Sequence, residues 1–460
     1  MRTRTQAATL AASLIAAAGA GLGGAAANAT SGAIEIGVSI GFTDYRLDWA
    51  NDVAAEFEAN HPEYDVVITG YDDYESLLQA VTLAADQGDP PAIAQYFEVA
   101  TQQARDAVDA DGEPLFASVG EAIGDRTDIL GEPVVIDDVV DAAKNYYTVD
   151  GMFTSMPWNT SSTLLYANNT YLEAAGIENV PETWADVEAA CEAIMALDDA
   201  PQGCISWPNH GWFFEQSIAQ QGGLLVNNEN GRAGRADEVF VNSDEMLAFA
   251  NYWKGLADAG HYTYTGTQRD FTAPRNAFSA QEIALLLTSS GDAGALVTSS
   301  EEGGFEMTVS RMPYNQDAEY AGNLIGGATL WLVNGLDEET QDGALAFMQF
   351  LDNPENAASW HQETGYIPIT NAAVTLLEEE GWFDENPWAR VATDQLDMAD
   401  GSPAASGALF GSFVETRDII TQAMEDVLVS GADPQEAFDE AQEAAQAALE
   451  DYNDLYATEG

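Results

Sequence analysis

Residues 324–370 form the stretch that decides the fold. Within it, LIGGATLWLVNG (324–335) predicts a buried strand beside a Gly-Gly turn, and a helical segment follows. The run NPENAASWHQETGYIPIT (353–370) predicts a further helix that ends at a tight Gly-Tyr-Ile-Pro corner, where Tyr366 lies. No catalytic motif occurs in this stretch. Its turns suit a backbone that closes on a small polar ligand.

The first residues have the pattern of an export signal. Arg2 and Arg4 precede an apolar run rich in Ala and Gly, and Ala27-Asn28-Ala29 matches an A-x-A cleavage site. We therefore expect residues 1–29 to be a cleaved signal peptide and the mature chain to reach the periplasm. The alternative is an uncleaved membrane anchor, which the weakly hydrophobic run disfavours.

The mature chain is long enough for two lobes. Roughly 430 residues exceed what one ordinary core accommodates. Between Ala33 and Phe97, segments of strand and helix character alternate, which indicates a parallel sheet covered on both faces. We expect two α/β lobes with several crossings of the chain. The first lobe is expected to contain residues 30–152 and 309–351, and the second residues 153–308 and 352–460.

The charge of the chain bears on its partners. It has 14 basic and 77 acidic residues, which give a formal net charge of −63 at pH 7. An acidic excess of this size argues against nucleic acid and anionic membranes as partners. Aliphatic and aromatic residues are plentiful and periodic, so the chain is not a disordered acidic one. We expect a monomer with an acidic, halophilic surface suited to high salt, where screening shortens self-repulsion.

Cys191 and Cys204 are the two cysteines of the chain. In an oxidising compartment such a pair closes a short disulfide loop. The alternative, two free buried thiols, is more typical of cytoplasmic proteins. The sequence therefore predicts a disulfide between them.

No catalytic or metal motif emerges from the sequence. The four histidines, His61, His210, His261 and His361, lack the spacing of a metal site. The run TSSG (288–291) is not a G-x-S-x-G nucleophile elbow. Carboxylates are so numerous that no pair can be singled out for glycoside hydrolysis. We therefore expect no enzyme, no metal and no cofactor, with a secreted hydrolase as the rival class.

Polar and aromatic residues follow several predicted strands. Tyr74 follows the second strand, Glu98 follows the third, Ser161 precedes an extended segment, and Ser289 ends a later strand. Ligands of open α/β sheets bind just beyond the carboxyl ends of strands. Hydroxyl groups, backbone N–H groups and a bidentate cation make an anion site, and Arg417 is a candidate cation. Its alternative is a surface ion pair.

Several blocks of the sequence resemble a known family. These blocks are DDYESLLQAV (72–81), DPPAIAQYFEVAT (89–101), MPWNTSSTLLYANNTYLEAAG (156–176), TSSG (288–291), residues 324–370 and FGSFVETR (410–417). They are similar to blocks of bacterial ABC-transporter solute-binding proteins, most closely those for sn-glycerol 3-phosphate. The resemblance spans essentially the whole mature chain. It implies the α/β class with a two-lobed periplasmic-binding-protein type II (Venus flytrap) fold, each lobe a mainly parallel sheet flanked by helices.

The resemblance also implies two subsites in a cleft between the lobes. The residues implied to hold the phosphate are Arg417, Ser161, Ser289, Tyr366 and the backbone of Gly327. Glu98 and Tyr74 would take the glycerol hydroxyls, because an ionised carboxylate can only accept hydrogen bonds. Trp212 would cover the carbon chain of the ligand.

The implied function is capture and delivery without chemistry. An exported protein of this kind would bind sn-glycerol 3-phosphate, or a glycerophosphodiester such as glycerophosphocholine, and deliver it to inner-membrane ABC permease subunits. Asn209 stands where a second aromatic residue is expected, a change that would widen the glycerol side and admit a diester. The alternative ligand is an oligosaccharide. In that case Arg417 would be a surface residue and the aromatic side chains would stack on sugar rings.

Overall fold

The structure is a computed structural model that describes residues 32–456. The signal peptide expected at residues 1–29 lies outside the described residues. The strands are β1 (Ile34–Ile40), β2 (Tyr64–Gly70), β3 (Ile93–Phe97), β4 (Phe116–Ala117), β5 (Asp128–Ile129), β6 (Glu132–Pro133), β7 (Thr148–Val149), β8 (Met152–Phe153), β9 (Met156–Ser161), β10 (Thr163–Asn168), β11 (Gly203–Ser206), β12 (Ile283–Ser289), β13 (Met307–Arg311) and β14 (Gly326–Val333).

Helices separate these strands and cover both sheets. They are α1 (Tyr45–Asn60), α2 (Tyr74–Asp86), α3 (Thr101–Asp106), α4 (Val119–Ile123), α5 (Asp141–Tyr147), α6 (Asn169–Ala174), α7 (Trp184–Met195), α8 (Gly211–Gln220), α9 (Asn227–Asn230), α10 (Asp244–Asp258), α11 (Thr272–Ser279), α12 (Ala293–Gly303), α13 (Glu338–Leu351), α14 (Pro354–Thr364), α15 (Asn371–Glu379), α16 (Trp382–Glu385), α17 (Val391–Leu396), α18 (Phe413–Glu425) and α19 (Pro434–Tyr456). No helix within residues 32–456 combines the length and the apolar character that crossing a membrane requires.

Two sheets give the molecule its two lobes. The first has the order β2-β1-β3-β14-β4, and β9 also pairs with β14. Helices α1, α2 and α13 pack against this sheet. The second sheet has the order β11-β12-β10-β13, with α7 packed on β11, α11 on β12 and α17 on β10 and β13. The expected α/β class with sheets flanked by helices is therefore confirmed.

Both sheets are mixed, whereas the sequence predicts mainly parallel sheets. In the first, β1 is parallel to β2 and β3, but β14 is antiparallel to β3, β4 and β9. In the second, β11 and β12 are parallel, and β10 is antiparallel to β12 and β13. The antiparallel strands are those that enter a sheet after the chain crosses between lobes. The apolar pattern of a buried strand does not record its direction.

The lobe boundaries also differ from the predicted ones. Strand β9 lies within the predicted second-lobe range 153–308, yet it pairs with β14 in the first sheet. Strand β13 belongs entirely to the second sheet, so the predicted boundary at residue 309 divides it. Helices α14 and α15 contribute buried residues such as Trp360 and Leu377 to the first-lobe core, although they follow the predicted boundary at residue 352. A strand or helix pattern does not show which lobe the element joins.

The second lobe contains the disulfide that the sequence predicts. Thr183 and Asp186 form a capping box that starts α7, and this helix carries Cys191 to the edge strand β11, where Cys204 lies. The two sulfur atoms are bonded in the structure, and both side chains are fully buried. The free-thiol alternative is therefore excluded in this structure.

Candidate functional site

A cavity of about 490 Å³ lies between the two lobes. It is lined by every residue that the sequence predicts for the site: Tyr74, Glu98, Ser161, Trp212, Ser289, Gly327, Tyr366 and Arg417. Three of these residues lie on strands of the two sheets, three lie on α2, α8 and α18, and Glu98 and Tyr366 lie just after β3 and α14. The fold thus brings together residues that are separated by up to hundreds of positions in the sequence.

An aromatic row forms the first-lobe wall of this cavity; we use the name for Phe42, Tyr74 and Phe97. The ring centroids of Phe42 and Tyr74 are 6.2 Å apart, and those of Tyr74 and Phe97 are 5.4 Å apart. All three rings line the cavity. The row therefore presents a continuous apolar surface to the carbon chain of a ligand.

Buried hydrogen bonds hold the middle ring of the row in place. The Tyr74 hydroxyl accepts a bond of 2.8 Å from Nδ2 of Asn159, whose Oδ1 accepts a bond of 2.7 Å from Nε2 of Gln95. Oε1 of Gln95 in turn accepts a bond of 2.6 Å from the N–H of Gly41. A chain of buried amides orients the phenol before any ligand binds, which lowers the entropy cost of binding.

The Gly-Gly turn at the start of β14 brings two backbones close together. Gly327 has a φ of 93°, and a Cβ added to it would lie 1.8 Å from the carbonyl oxygen of Asn159. A Cβ on Gly326 would lie 2.4 Å from the Trp212 ring and 3.1 Å from Oγ of Ser161. These contacts explain why the sequence has two glycines here, because any side chain would push Trp212 and Ser161 away.

Gly327→Ala is expected to lower the free energy of unfolding by about 2 kcal/mol or more, because it combines an unfavourable positive φ with a backbone clash. Gly335→Ala is the matched control. Gly335 also has a positive φ of 77°, but no atom lies within 4 Å of its added Cβ. Urea unfolding of both variants measures the difference. Equal losses would show that the contact with Asn159 carries no energetic weight.

Packing and one histidine fix the corner that carries Tyr366. The Tyr366 ring stacks on Trp360 with a centroid distance of 5.6 Å and an interplanar angle of 1°. The Tyr366 ring also packs against Gly291, where an added Cβ would lie 2.6 Å from the ring. Nδ1 of His361 is 2.7 Å from the Tyr366 carbonyl oxygen. His361 therefore supports a residue of the cavity wall.

Arg417 is buried in an ion-paired triad with Glu98 and Glu215. Its Nε and Nη2 donate bonds of 2.7 Å to the two carboxylate oxygens of Glu215, and Nη2 donates a bond of 2.6 Å to Glu98. None of the three side chains is more than 6% exposed. Burial raises the pKa of Glu98, and the charge of Glu215 raises it further, against the opposing effect of Arg417. The triad carries two carboxylates for one guanidinium, so its formal charge is −1.

This geometry brings the two implied subsites together. Arg417 is expected to hold phosphate and Glu98 to take hydroxyls at a separate subsite, and the two side chains bond each other directly. The alternative of a surface ion pair for Arg417 is wrong, because all three members of the triad are buried. Sequence reasoning missed Glu215, which lies in the middle of α8 among residues that are all buried.

The lining residues that were not predicted include Phe42, Arg46, Arg275 and Asp292. The scarcity of basic residues is the signal that could have pointed to the two arginines. Asn209, by contrast, does not line the cavity. Its Nδ2 donates 3.1 Å bonds to the Thr421 carbonyl and to Glu425, while the neighbouring His210 faces the cavity. The part of the chain that the structure describes contains no group of three or more metal-ligating side chains arranged for a metal ion.

Comparison with known proteins places the chain in a family. Residues 52–390 match the family described as bacterial extracellular solute-binding protein. The chain belongs to this family. The sn-glycerol-3-phosphate-binding periplasmic protein UgpB of Escherichia coli K12 is 32% identical over 400 residues, which cover 85% of this chain and 87% of that protein. The resemblance seen in the sequence is thereby confirmed.

Solved structures share the two-lobed architecture. UgpB of Mycobacterium tuberculosis, in complex with glycerophosphocholine, superposes with a TM-score of 0.71 at 21% identity, covering 88% of this chain and 95% of that one. The GacH receptor of Streptomyces glaucescens, studied unliganded and with acarbose, gives a TM-score of 0.73 at 18% identity, covering 91% and 99%. At these identities the likeness establishes the fold alone. The Venus flytrap architecture expected from the resemblance is confirmed.

Proposed function

We propose that this chain is the exported substrate-binding component of an ABC importer that captures sn-glycerol 3-phosphate or a glycerophosphodiester such as glycerophosphocholine. The observation that carries the proposal is the convergence of all eight predicted site residues on one interlobe cavity. Their roles were transferred from a resemblance that the 32% identity to UgpB of Escherichia coli supports. The proposed setting is the periplasm, with inner-membrane permease subunits as partners.

The size and lining of the cavity support a small polar ligand. Its volume of about 490 Å³ lies within the range of ordinary small-molecule sites. The aromatic row covers one side, and hydroxyls from Ser161, Ser289 and Tyr366 reach the same space. The buried carboxylate of Glu98 suits the vicinal hydroxyls of glycerol, since it accepts but does not donate.

An oligosaccharide is the second candidate, because structural neighbours such as GacH were solved with one. The aromatic row would then stack on sugar rings. Two arginines of the cavity wall outside the Arg417 triad, Arg46 and Arg275, favour an anionic ligand instead. A hydrolase remains the rival class, and recovery of the ligand intact after long incubation would count against it.

Isothermal titration calorimetry of the chain without residues 1–29, in high salt, tests the proposal. The ligands are sn-glycerol 3-phosphate, glycerophosphocholine and maltose. Tight single-site binding of either glycerol compound supports the proposed class and identifies the preferred ligand. Binding of maltose alone would replace the proposal with the oligosaccharide alternative.

Glu98→Gln is expected to weaken ligand binding about tenfold or more, because it replaces a charged acceptor of the glycerol hydroxyls with a neutral amide. The fold should persist, since the remaining Arg417–Glu215 pair is electrically balanced. Calorimetry gives the affinity and thermal unfolding gives the stability. A large loss of stability with the affinity unchanged would assign Glu98 a purely structural role.

A further inference from the structure

The aromatic row separates two arginines at its ends. The guanidinium carbon of Arg46 lies 4.1 Å from the centroid of the Phe42 ring, and that of Arg417 lies 5.8 Å from the Phe97 ring. Tyr74 lies between these two rings in the row. The cavity therefore has two cationic ends along one apolar wall, and only the Arg417 end was predicted from the sequence.

The Arg417 end is poorly suited to a phosphate. Its guanidinium already donates to Glu98 and Glu215, and those two buried carboxylates outnumber the single cation. A phosphate oxygen that approached Arg417 would meet both carboxylates within the same hydrogen-bond shell. In a site of low dielectric, that repulsion is strong. The same acceptors are well suited to hydroxyl groups.

The Arg46 end is electrically balanced and has donors available. Nε and Nη2 of Arg46 bond the carboxylate of Asp44 at 2.9 Å and 2.6 Å, while Nη1 lies 3.4 Å from the Tyr366 hydroxyl. The Asp44 side chain is 45% exposed, so water screens its charge. A phosphate oxygen at this end can therefore accept from Nη1 and from the phenol, and the Arg46–Asp44 pair beside it carries no excess negative charge.

The second lobe places a further cation opposite this end. Arg275 on α11 lines the same cavity and bonds Oδ1 of Asp292 at 2.5 Å. Oδ2 of Asp292 accepts a bond of 2.6 Å from the Thr288 hydroxyl, so the carboxylate is fully engaged. Burial acts to raise the pKa of Asp44, but the hydrogen bond and charge of Arg46, with a smaller effect of Arg275, lower it overall. Gly291, which precedes Asp292, packs against the Tyr366 ring whose hydroxyl Arg46 reaches, so Arg275 lies close to the Arg46 end.

We infer that the oxyanion of the ligand binds at this end, between Arg46 of the first lobe and Arg275 of the second. The hydroxyls of Tyr366 and Ser289 complete the site, because both side chains line the same cavity. The glycerol hydroxyls then face the Glu98 end. The ligand thus lies along the aromatic row with its phosphate away from Arg417. The assignment rests on the proposed function, since it names the phosphate site of the same cleft.

A phosphate held in this way also joins the lobes. Arg46 lies on α1, which packs against the first sheet, and Arg275 lies on α11, which packs against the second. A single phosphate can accept hydrogen bonds from both guanidinium groups only when the two lobes are close together. An anionic ligand consequently favours the closed form more than a neutral ligand of the same shape.

The test compares Arg46→Gln and Arg275→Gln with Arg390→Gln. Arg390 pairs with Glu378 at the protein surface and is absent from the cavity lining. Its variant loses one positive charge, as each cleft variant does, so the three variants have the same net charge. Calorimetry with sn-glycerol 3-phosphate and with glycerophosphocholine is run in high salt. Each cleft variant is expected to bind the better of the two ligands at least about tenfold more weakly than Arg390→Gln.

The outcomes separate this inference from the proposed function. If the unmodified chain binds one of the two ligands and both cleft variants bind it with the affinity of Arg390→Gln, the inferred phosphate site is wrong and the proposed function stands. If the unmodified chain binds neither ligand, both are overturned. Should Arg46→Gln fail to fold, Arg275→Gln alone decides, because it lies on the other lobe.

Discussion

Arg417→Met is expected to lower the free energy of unfolding by about 3–5 kcal/mol and to abolish ligand binding. The change leaves Glu98 and Glu215 buried without a cation. An uncompensated buried charge costs far more than the net value of the ion pair it once formed. Urea unfolding and calorimetry of the same protein sample measure the two effects.

The control for this variant removes the charges together. In the triple variant Arg417→Met, Glu98→Gln, Glu215→Gln, no ionised group is left in the triad. Most of the lost stability should return, because replacing a whole buried ionic group is often nearly neutral. Ligand binding should not return, since the charged acceptor of the hydroxyls is replaced by a neutral amide and the arginine is absent. A triple variant no more stable than Arg417→Met would show that packing by the arginine stem, and not its charge, was responsible.

Acidification from neutral pH to about pH 4 is expected to remove about 3 kcal/mol of stability through His361 alone. Burial lowers the pKa of this imidazole from 6.5 to about 4, although its hydrogen bond to the Tyr366 carbonyl opposes the shift. Between these two values the unfolded chain binds a proton that the folded chain does not. The stabilising contribution is therefore complete above about pH 6.5 and is lost as the pH falls towards 4.

Urea unfolding across this pH range, at constant high salt, measures the contribution when the protein is compared with His361→Gln. The difference between the two proteins isolates His361, because the surface carboxylates and the other buried histidines, His61 and His210, are common to both. His261→Gln, which removes a histidine outside the core, is the matched control. Parallel curves for the unmodified protein and His361→Gln would show that the imidazole is protonated in the folded state.

The sequence predicts much of this molecule because several patterns are local. The strands and helices between Ile34 and Phe97 alternate as predicted. The predicted disulfide needs only two cysteines and an oxidising compartment. The eight site residues were found because they sit in blocks that resemble a family, and the structure places them in one cavity. Their roles in binding remain proposals.

Long-range pairings are what the sequence did not reveal. Nothing local to Arg417 indicates that Glu215, 202 positions away, accepts two of its hydrogen bonds. The same holds for β9, whose apolar pattern fits either sheet but whose partner is β14. In each case the partner is selected by the three-dimensional packing of the lobes, a property that spacing along the chain does not encode.

The hydrogen bond between Arg417 and Glu98 has a consequence for the release of a bound ligand. Glu98 follows β3 of the first lobe, whereas Arg417 lies on α18, which packs against α8 and α19. Any motion that parts the lobes therefore pulls the guanidinium away from Glu98. The carboxylate then faces water, which competes for the hydrogen bonds that we propose it makes to the ligand. A transporter that opens the two halves would release the cargo by the same movement, with no separate trigger.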